Sequence, residues 1–342
     1  MRVLVTGNLG YIGVVLVPIF QARGHEVVGL DSDLYRRCTF GKGPLPKVRT
    51  IIKDIRDVTL DDVRGFEAVV HLAGLSNDPL GNLEPDLTFD INHRASVRLA
   101  ELAKQAGVRR FAFSSSCSNY GAGGEDLLTE ESPFNPVTPY GKSKVLVERD
   151  VSAMASDSFS PIFLRNATAY GVSPRIRFDL VLNNLVAWAF TTGQVYLKSD
   201  GSAWRPIVHI QDIAQAFLGL LEAPLELVHN QAFNVVRANE NYRIKELAEI
   251  VARTVPGCAL KFADGASPDL RCYRVNCDKI RRVLGDGAFQ WTASAGAEEL
   301  HASYRGNPFT LKDFEGHVYQ RVSHIRKLLE EKVLDKTLRF SA

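Results

Sequence analysis

The chain has 342 residues, 45% hydrophobic and 23% charged, with a formal net charge of +2. That length suits one large domain or two modest ones, and so weak a field excludes nucleic acid or a membrane surface as an obvious partner. Five cysteines without C-x-x-C spacing indicate neither a disulfide framework nor a zinc site, so no metal is expected.

The first strand, Val3–Thr6, begins almost at Met1 and leaves no room for a signal peptide. It runs into Gly7-Asn8-Leu9-Gly10-Tyr11-Ile12-Gly13 and then into an apolar helix, Val14 to Ala22. Strand, glycine-rich turn and helix together read as a dinucleotide-binding unit. Gly7 allows the tight turn, Gly10 lets backbone approach a pyrophosphate, and Gly13 lets the helix pack on the strand. Leu9, Tyr11 and Ile12 belong to the same predicted site, where unpaired N–H groups and the helix dipole favour negative charge. A second strand, Glu26–Leu30, ends in Asp31, about 20 residues past the turn, where an acid would meet the adenosine ribose. Asp31 would repel a 2′-phosphate, so NAD is expected as the cofactor. Arg36 and Arg37 read as a solvated loop.

Further along, Val48–Lys53 reads as a third strand ending at Asp54-Ile55, and Glu67–Gly74 as a buried fourth. Its His71 reads as structural. A long helix from Pro85 to Ala106 contains Asn92, and Val108–Phe113 is a fifth strand running into Ser114-Ser115-Ser116-Cys117-Ser118-Asn119-Tyr120-Gly121. Thr138-Pro139 opens another helix that carries Tyr140 and Lys144 four apart, hence on one face. Beyond it, helices are expected at 181–190, 210–221 and 242–255, and strands at 194–198 and 232–236. The stretch Leu180 to Leu197 is broken by Asn183, Asn184 and Gly193, so no membrane span is expected. These features predict a cytoplasmic protein.

The ordered set Gly7/Gly10/Gly13, Asp31, Asp54-Ile55, His71-Leu72-Ala73-Gly74, Ser114 to Gly121 and Tyr140/Lys144 resembles the extended short-chain dehydrogenase/reductase family. The closer resemblance is to its nucleotide-sugar epimerases and dehydratases. It continues through Phe163–Gly171 and Trp204–Ala214, covering roughly residues 1 to 290. It implies an α/β fold with a Rossmann-type doubly wound parallel sheet over residues 1–170. A smaller C-terminal α/β substrate-binding domain, partly interleaved, would span 171–300, followed by a helical tail at 301–342. It also implies a nucleoside-diphosphate sugar as substrate, and a homodimer through the helices at 85–106 and 139–155.

By the same resemblance, Tyr140 is the acid/base, Lys144 favours its phenolate and holds the nicotinamide ribose, and Ser116 binds the reacting sugar oxygen. Asp54, Ile55, Leu72, Ala73, Gly74, Asn92 and Ser114 join the cofactor site. Ser76, Thr168, Asn183, Arg205 and Arg271 are the substrate-side candidates, with Arg274 a further candidate for the diphosphate. Two departures bear on the reaction. The family's 4,6-dehydratases carry an Asp-Glu pair after the catalytic hydroxyl residue, where this chain has Cys117 and Ser118, and Thr168 stands where asparagine is usual. Cys117 is retained as a catalytic candidate. An NAD-dependent epimerase working by transient oxidation at C4 is therefore expected. A 4-keto-sugar reductase, a dehydratase and a non-catalytic NAD-binding protein stand as alternatives.

Overall fold

The computed structural model describes residues 1–76, 84–263 and 271–341. The strands are β1 (Arg2–Thr6), β2 (Glu26–Asp31), β3 (Arg49–Ile52), β4 (Ala68–His71), β5 (Arg110–Ser116), β6 (Leu127–Leu128), β7 (Ser160–Asn166), β8 (Thr168–Tyr170), β9 (Gln194–Leu197), β10 (Trp204–His209), β11 (Gln231–Val235), β12 (Asn241–Arg243), β13 (Ala259–Phe262) and β14 (Arg274–Val275). Seven of them form a parallel sheet in the order β11-β7-β5-β4-β1-β2-β3. The order reverses between β1 and β4, and the crevice outside the strand ends at such a switch point is where ligands bind. β1 and β4 are apolar and buried throughout their centres, because helices cover both faces.

Helices Gly13–Ala22 and Ile210–Glu222 pack on one face, with Leu16, Val17, Phe20, Ile213 and Phe217 inward. On the other face lie Ala95–Gln105 and Pro139–Ser152, burying Leu99, Ala103, Val147 and Val151. The predicted helix at 85–106 is interrupted by one wide turn, Asp90–Arg94, in π geometry. Wide turns of this kind re-aim side chains, and here the turn carries Asn92.

The predicted segment 163–171 is two strands. The chain leaves the large sheet at Asn166 and enters a three-stranded sheet, β12-β10-β8, at Thr168. It returns through β11, which lies inside the range predicted for the substrate domain and pairs with β7 instead. Around the small sheets, Val181–Thr192, Ile244–Thr254 and Ala293–Gly306 bury their own apolar core.

The tail is ordered against the first domain. After helix Leu311–Glu315, helix Arg321–Glu330 places Ile325 and Leu328, and the following turn places Leu334 and Leu338, into the core that holds Leu4, Val28 and Leu30. Arg339 pairs with Asp57, and Arg37 pairs with Glu331 at 2.7 Å. Among the described residues no helix is long and apolar enough to cross a membrane, no cluster of metal-binding side chains occurs, and all five cysteines are free.

Candidate active site

A cleft of about 1040 Å³ opens along the carboxyl ends of β1, β2, β4 and β5 and continues under the smaller sheets. Gly7, Leu9, Gly10, Tyr11, Ile12 and Gly13 line one wall. Gly7 has φ of 75°, and a Cβ there would lie 2.7 Å from the Ala73 nitrogen. A Cβ on Gly13 would lie 2.3 Å from the Gly7 carbonyl oxygen, so the close helix–strand packing tolerates no side chain. Asp31 lines the cleft at the end of β2. Its carboxylate accepts from the Leu9 N–H at 2.9 Å and the Asp33 N–H at 2.8 Å, which ties the turn to the second strand. Burial raises the Asp31 carboxyl above the usual range, and these two N–H groups oppose the shift. Ser114 and Asp54-Ile55 complete this side, with Asp54 held by Arg56 at 2.7 Å.

At the other end stand Tyr140, Lys144, Ser116 and Ser118. Thr138 caps the helix by accepting from the Gly141 N–H, and Pro139 occupies its first turn, so Tyr140 enters the cleft within the opening turn. Lys144 is buried one turn on. Its ammonium donates to the Ser114 carbonyl at 2.7 Å and sits 4.5 Å from the Phe113 ring and 5.7 Å from the Tyr140 ring. Burial pulls Lys144 down to about 7, and the charge of Glu148 opposes the shift. Strand alternation separates the three serines. Ser114 and Ser116 face the cleft, while Ser115 donates to Glu148 behind it. Glu148 is itself paired with Arg165 at 2.8 Å, which fixes the helix carrying Tyr140 and Lys144 against β7.

Of the substrate-side candidates, Ser76, Thr168, Arg205 and Arg271 line the cleft. Four predicted residues do not. Asn92 is buried behind the β4 loop, where its amide accepts from the Leu75 N–H at 2.7 Å and donates to the Leu75 carbonyl at 2.9 Å. It shapes the loop. Asn183 is equally enclosed: it accepts from the Gly171 N–H and donates to the Tyr11 hydroxyl and the Arg177 carbonyl, each at 3.0 Å. Its neighbour Asn184 is the one lining the cleft. Cys117 begins a tight turn that points it into the core, where its thiol donates to the Arg165 carbonyl at 3.2 Å and burial pushes its proton affinity far up. It has no catalytic access. Arg274 also turns away, donating to the Glu125 carbonyl and covering Trp204.

The structure adds residues that the sequence reading did not reach. Arg177, Asp179 and Tyr35 line the cleft, together with Glu315, Gln320 and Arg321 from the tail. Arg177 donates to the Ser76 hydroxyl at 3.0 Å and pairs with Asp179 at 2.6 Å. The alternating charges of Arg175, Arg177 and Asp179, set in an apolar stretch, were the available signal. Arg321 had none, since its neighbours lie some 145 residues or more away in the chain.

A glycine cradle at a switch point, an acid at the end of β2 and a Tyr–Lys pair on one helix face define an extended short-chain dehydrogenase/reductase enzyme. The chain belongs to the NAD-dependent epimerase/dehydratase family, whose model matches residues 3–235. It is 27% identical over 336 residues to the UDP-glucose 4-epimerase of Bacillus subtilis (strain 168), covering 88% of this chain and 95% of that protein. Among solved structures it resembles MoeE5 in complex with UDP-glucuronic acid and NAD, at 26% identity and a TM-score of 0.76, over 90% of this chain and 99% of that one. The NAD-dependent NDP-hexosamine 5,6-dehydratase TunA shares the fold, with 22% identity and a TM-score of 0.78 over 89% and 98%. The cofactor is NAD, and the glycine cradle fits it, because side chains at Gly7 or Gly13 would collide with backbone.

Proposed function

We propose that this enzyme epimerises a nucleoside-diphosphate hexose at C4 and keeps its NAD through the cycle. Bound NAD supplies the hydride acceptor and donor. The chain's own groups handle the proton and the pose. Tyr140 takes the proton from the sugar hydroxyl at C4 and returns it, with the Lys144 ammonium on the same helix face stabilising negative charge on its oxygen. Ser116 donates to the same sugar oxygen. Arg205 and Arg271 hold the diphosphate from the opposite side.

The observation that carries this reading is the occupancy of the cleft's carboxylates. Elimination of water needs a free acid/base pair next to the sugar. Among the described residues, the carboxylates lining the cleft are Asp31, Asp33, Asp54, Asp179 and Glu315. Asp31 holds backbone, Asp33, Asp54 and Asp179 are paired with Arg175, Arg56 and Arg177, and Glu315 stands solvent-exposed at the end of the tail helix Leu311–Glu315. Beside Ser116 stand a buried thiol and the Ser118 hydroxyl. UDP-hexoses are the first substrates to offer, given the similar relatives. NMR of the product formed in D2O decides the reaction: inversion at C4 without deuterium at C5 is expected, and loss of water with deuterium incorporation would replace the proposal with a dehydratase. Tyr140→Phe is expected to lower turnover by roughly 10²–10⁴-fold with NAD still bound. A homodimer through the helices ending at Gln105 and Ser152 belongs to the same reading, and light scattering on the purified chain tests it.

A further inference from the structure

We infer that Arg321, carried by the C-terminal helix, completes the seat of the cofactor's diphosphate opposite the glycine-rich turn, which makes the tail part of the NAD site. This rests on the cleft being an NAD site and is independent of which sugar carbon reacts.

Arg321 is only 3% exposed. Its guanidinium carbon lies 4.0 Å from the centre of the Tyr35 ring, and Nη2 donates to the Arg175 carbonyl at 2.9 Å. Nη1 is buried and makes no hydrogen bond to an oxygen or nitrogen among the described residues, with the neutral Cys38 thiol beside the guanidinium. Two further buried arginines surround it, each with its own carboxylate: Arg175 with Asp33 at 3.1 Å and Arg177 with Asp179 at 2.6 Å. Among the described residues Arg321 is thus the one buried guanidinium of the three with no carboxylate in direct ion-pair contact. Such a charge is costly to bury unless an anion meets it.

The cluster opens toward an anion's position. Arg177, Arg321 and Tyr35 line the same cleft as Gly7 to Gly13. A dinucleotide placed with its adenosine ribose at Asp31 and its nicotinamide at Tyr140 puts its diphosphate between the two. Arg177 lines the cleft and donates to the Ser76 hydroxyl at 3.0 Å, two residues past Gly74, so it lies in that middle stretch. The diphosphate then has helix N–H groups on one side and planar guanidiniums on the other, the pairing that suits phosphate oxygens. The other nearby arginines are engaged elsewhere, Arg36 over the Phe340 ring and Arg37 with Glu331.

The test uses the full chain and three probes: NAD, ADP and adenosine. Arg321→Met keeps the stem over Tyr35 and removes the charge. It is expected to weaken NAD and ADP by roughly 10–100-fold, to speed loss of NAD on gel filtration, and to leave adenosine within about twofold. Arg321→Lys keeps the charge without the fork and is expected to fall between. Leu328→Ala loosens the same helix from the core and is expected to keep the wild-type preference for ADP over adenosine. Unchanged NAD and ADP binding by Arg321→Met would overturn the inference, as would equal loss of adenosine or the same loss of preference in Leu328→Ala. If Arg321→Met does not fold, Arg321→Lys decides: a drop of about threefold or more in ADP preference supports the seat, and an unchanged preference overturns it. Because every readout is nucleotide binding, a chain that binds NAD this way but turns over no sugar would sink the epimerase reading and leave this one standing.

Discussion

The two walls of the cofactor cleft are built from opposite materials. One is backbone: Gly7 to Gly13, contiguous in sequence, shaped by the absence of side chains. The other is side chain: Ser76, Arg177, Asp179 and Arg321 come from three distant segments and are held by ion pairs and a ring contact. The backbone wall is tight because a Cβ at Gly7 or Gly13 would collide with main chain. The side-chain wall is held only as well as its charges are balanced.

That contrast can be broken most severely on the backbone side. Gly13→Val forces Cβ and its branches against the Gly7 carbonyl and the Asn8 backbone, where even a Cβ has only 2.3–2.6 Å. Loss of retained NAD and a fall of several kcal/mol in unfolding free energy are expected, read by absorbance of the released nucleotide and by urea denaturation. On the side-chain wall, Asp179→Ala leaves the Arg177 guanidinium buried without its carboxylate. A loss of about 3 kcal/mol is expected in denaturation, and a double variant that also carries Arg177→Met should recover part of it.

A second comparison sharpens the first. Lys144 and His71 are both buried bases near the strand ends, yet only Lys144 faces the cleft. His71 lies between the Thr6 hydroxyl at 2.6 Å and the Ser96 hydroxyl at 2.8 Å, and burial, helped by the Lys144 charge, takes it down to about 3. The folded chain therefore binds fewer protons than the unfolded chain between about pH 3 and 6.5. Stability should fall by about 1 kcal/mol per pH unit as the solution is acidified through that window, and His71→Asn should flatten the slope in pH-dependent melting. The smallest effect is expected at Cys117. With its thiol in the core, Cys117→Ala should leave the turnover number within about twofold and cost about 1 kcal/mol of stability; a large kinetic loss would restore it to the chemistry.

What could be read from the sequence follows the same division. The glycine turn, Asp31 and the Tyr140/Lys144 pair were legible because each is a local pattern whose geometry follows from chain periodicity. The sheet followed from alternating strands and helices. Cys117 and Asn183 were misplaced because neighbours in sequence face opposite ways. At Cys117 the alternation that turns Ser114 and Ser116 to the cleft carries the next side chain the other way, into the core; at Asn183 one helical step of about 100° separates the enclosed amide from Asn184 in the cleft. Asn92 was misplaced for a different reason: its wide helical turn aims the amide at Leu75, which periodicity does not show. Arg177 and Arg321 were out of reach because a buried arginine is recognised by its partners, and those lie far away in the chain.

The passage of the chain from Asn166 to Thr168 has a mechanical meaning. At this crossing a single buried residue, Ala167, joins the seven-stranded sheet to the three-stranded one, and all three residues floor the cleft. A pivot on the floor of a site works like the hinge of a book. Residues at the spine keep their spacing while the edges of the pages travel farthest. In any rotation of one sheet against the other, Asn166 and Thr168, next to that spine, would therefore change their spacing least.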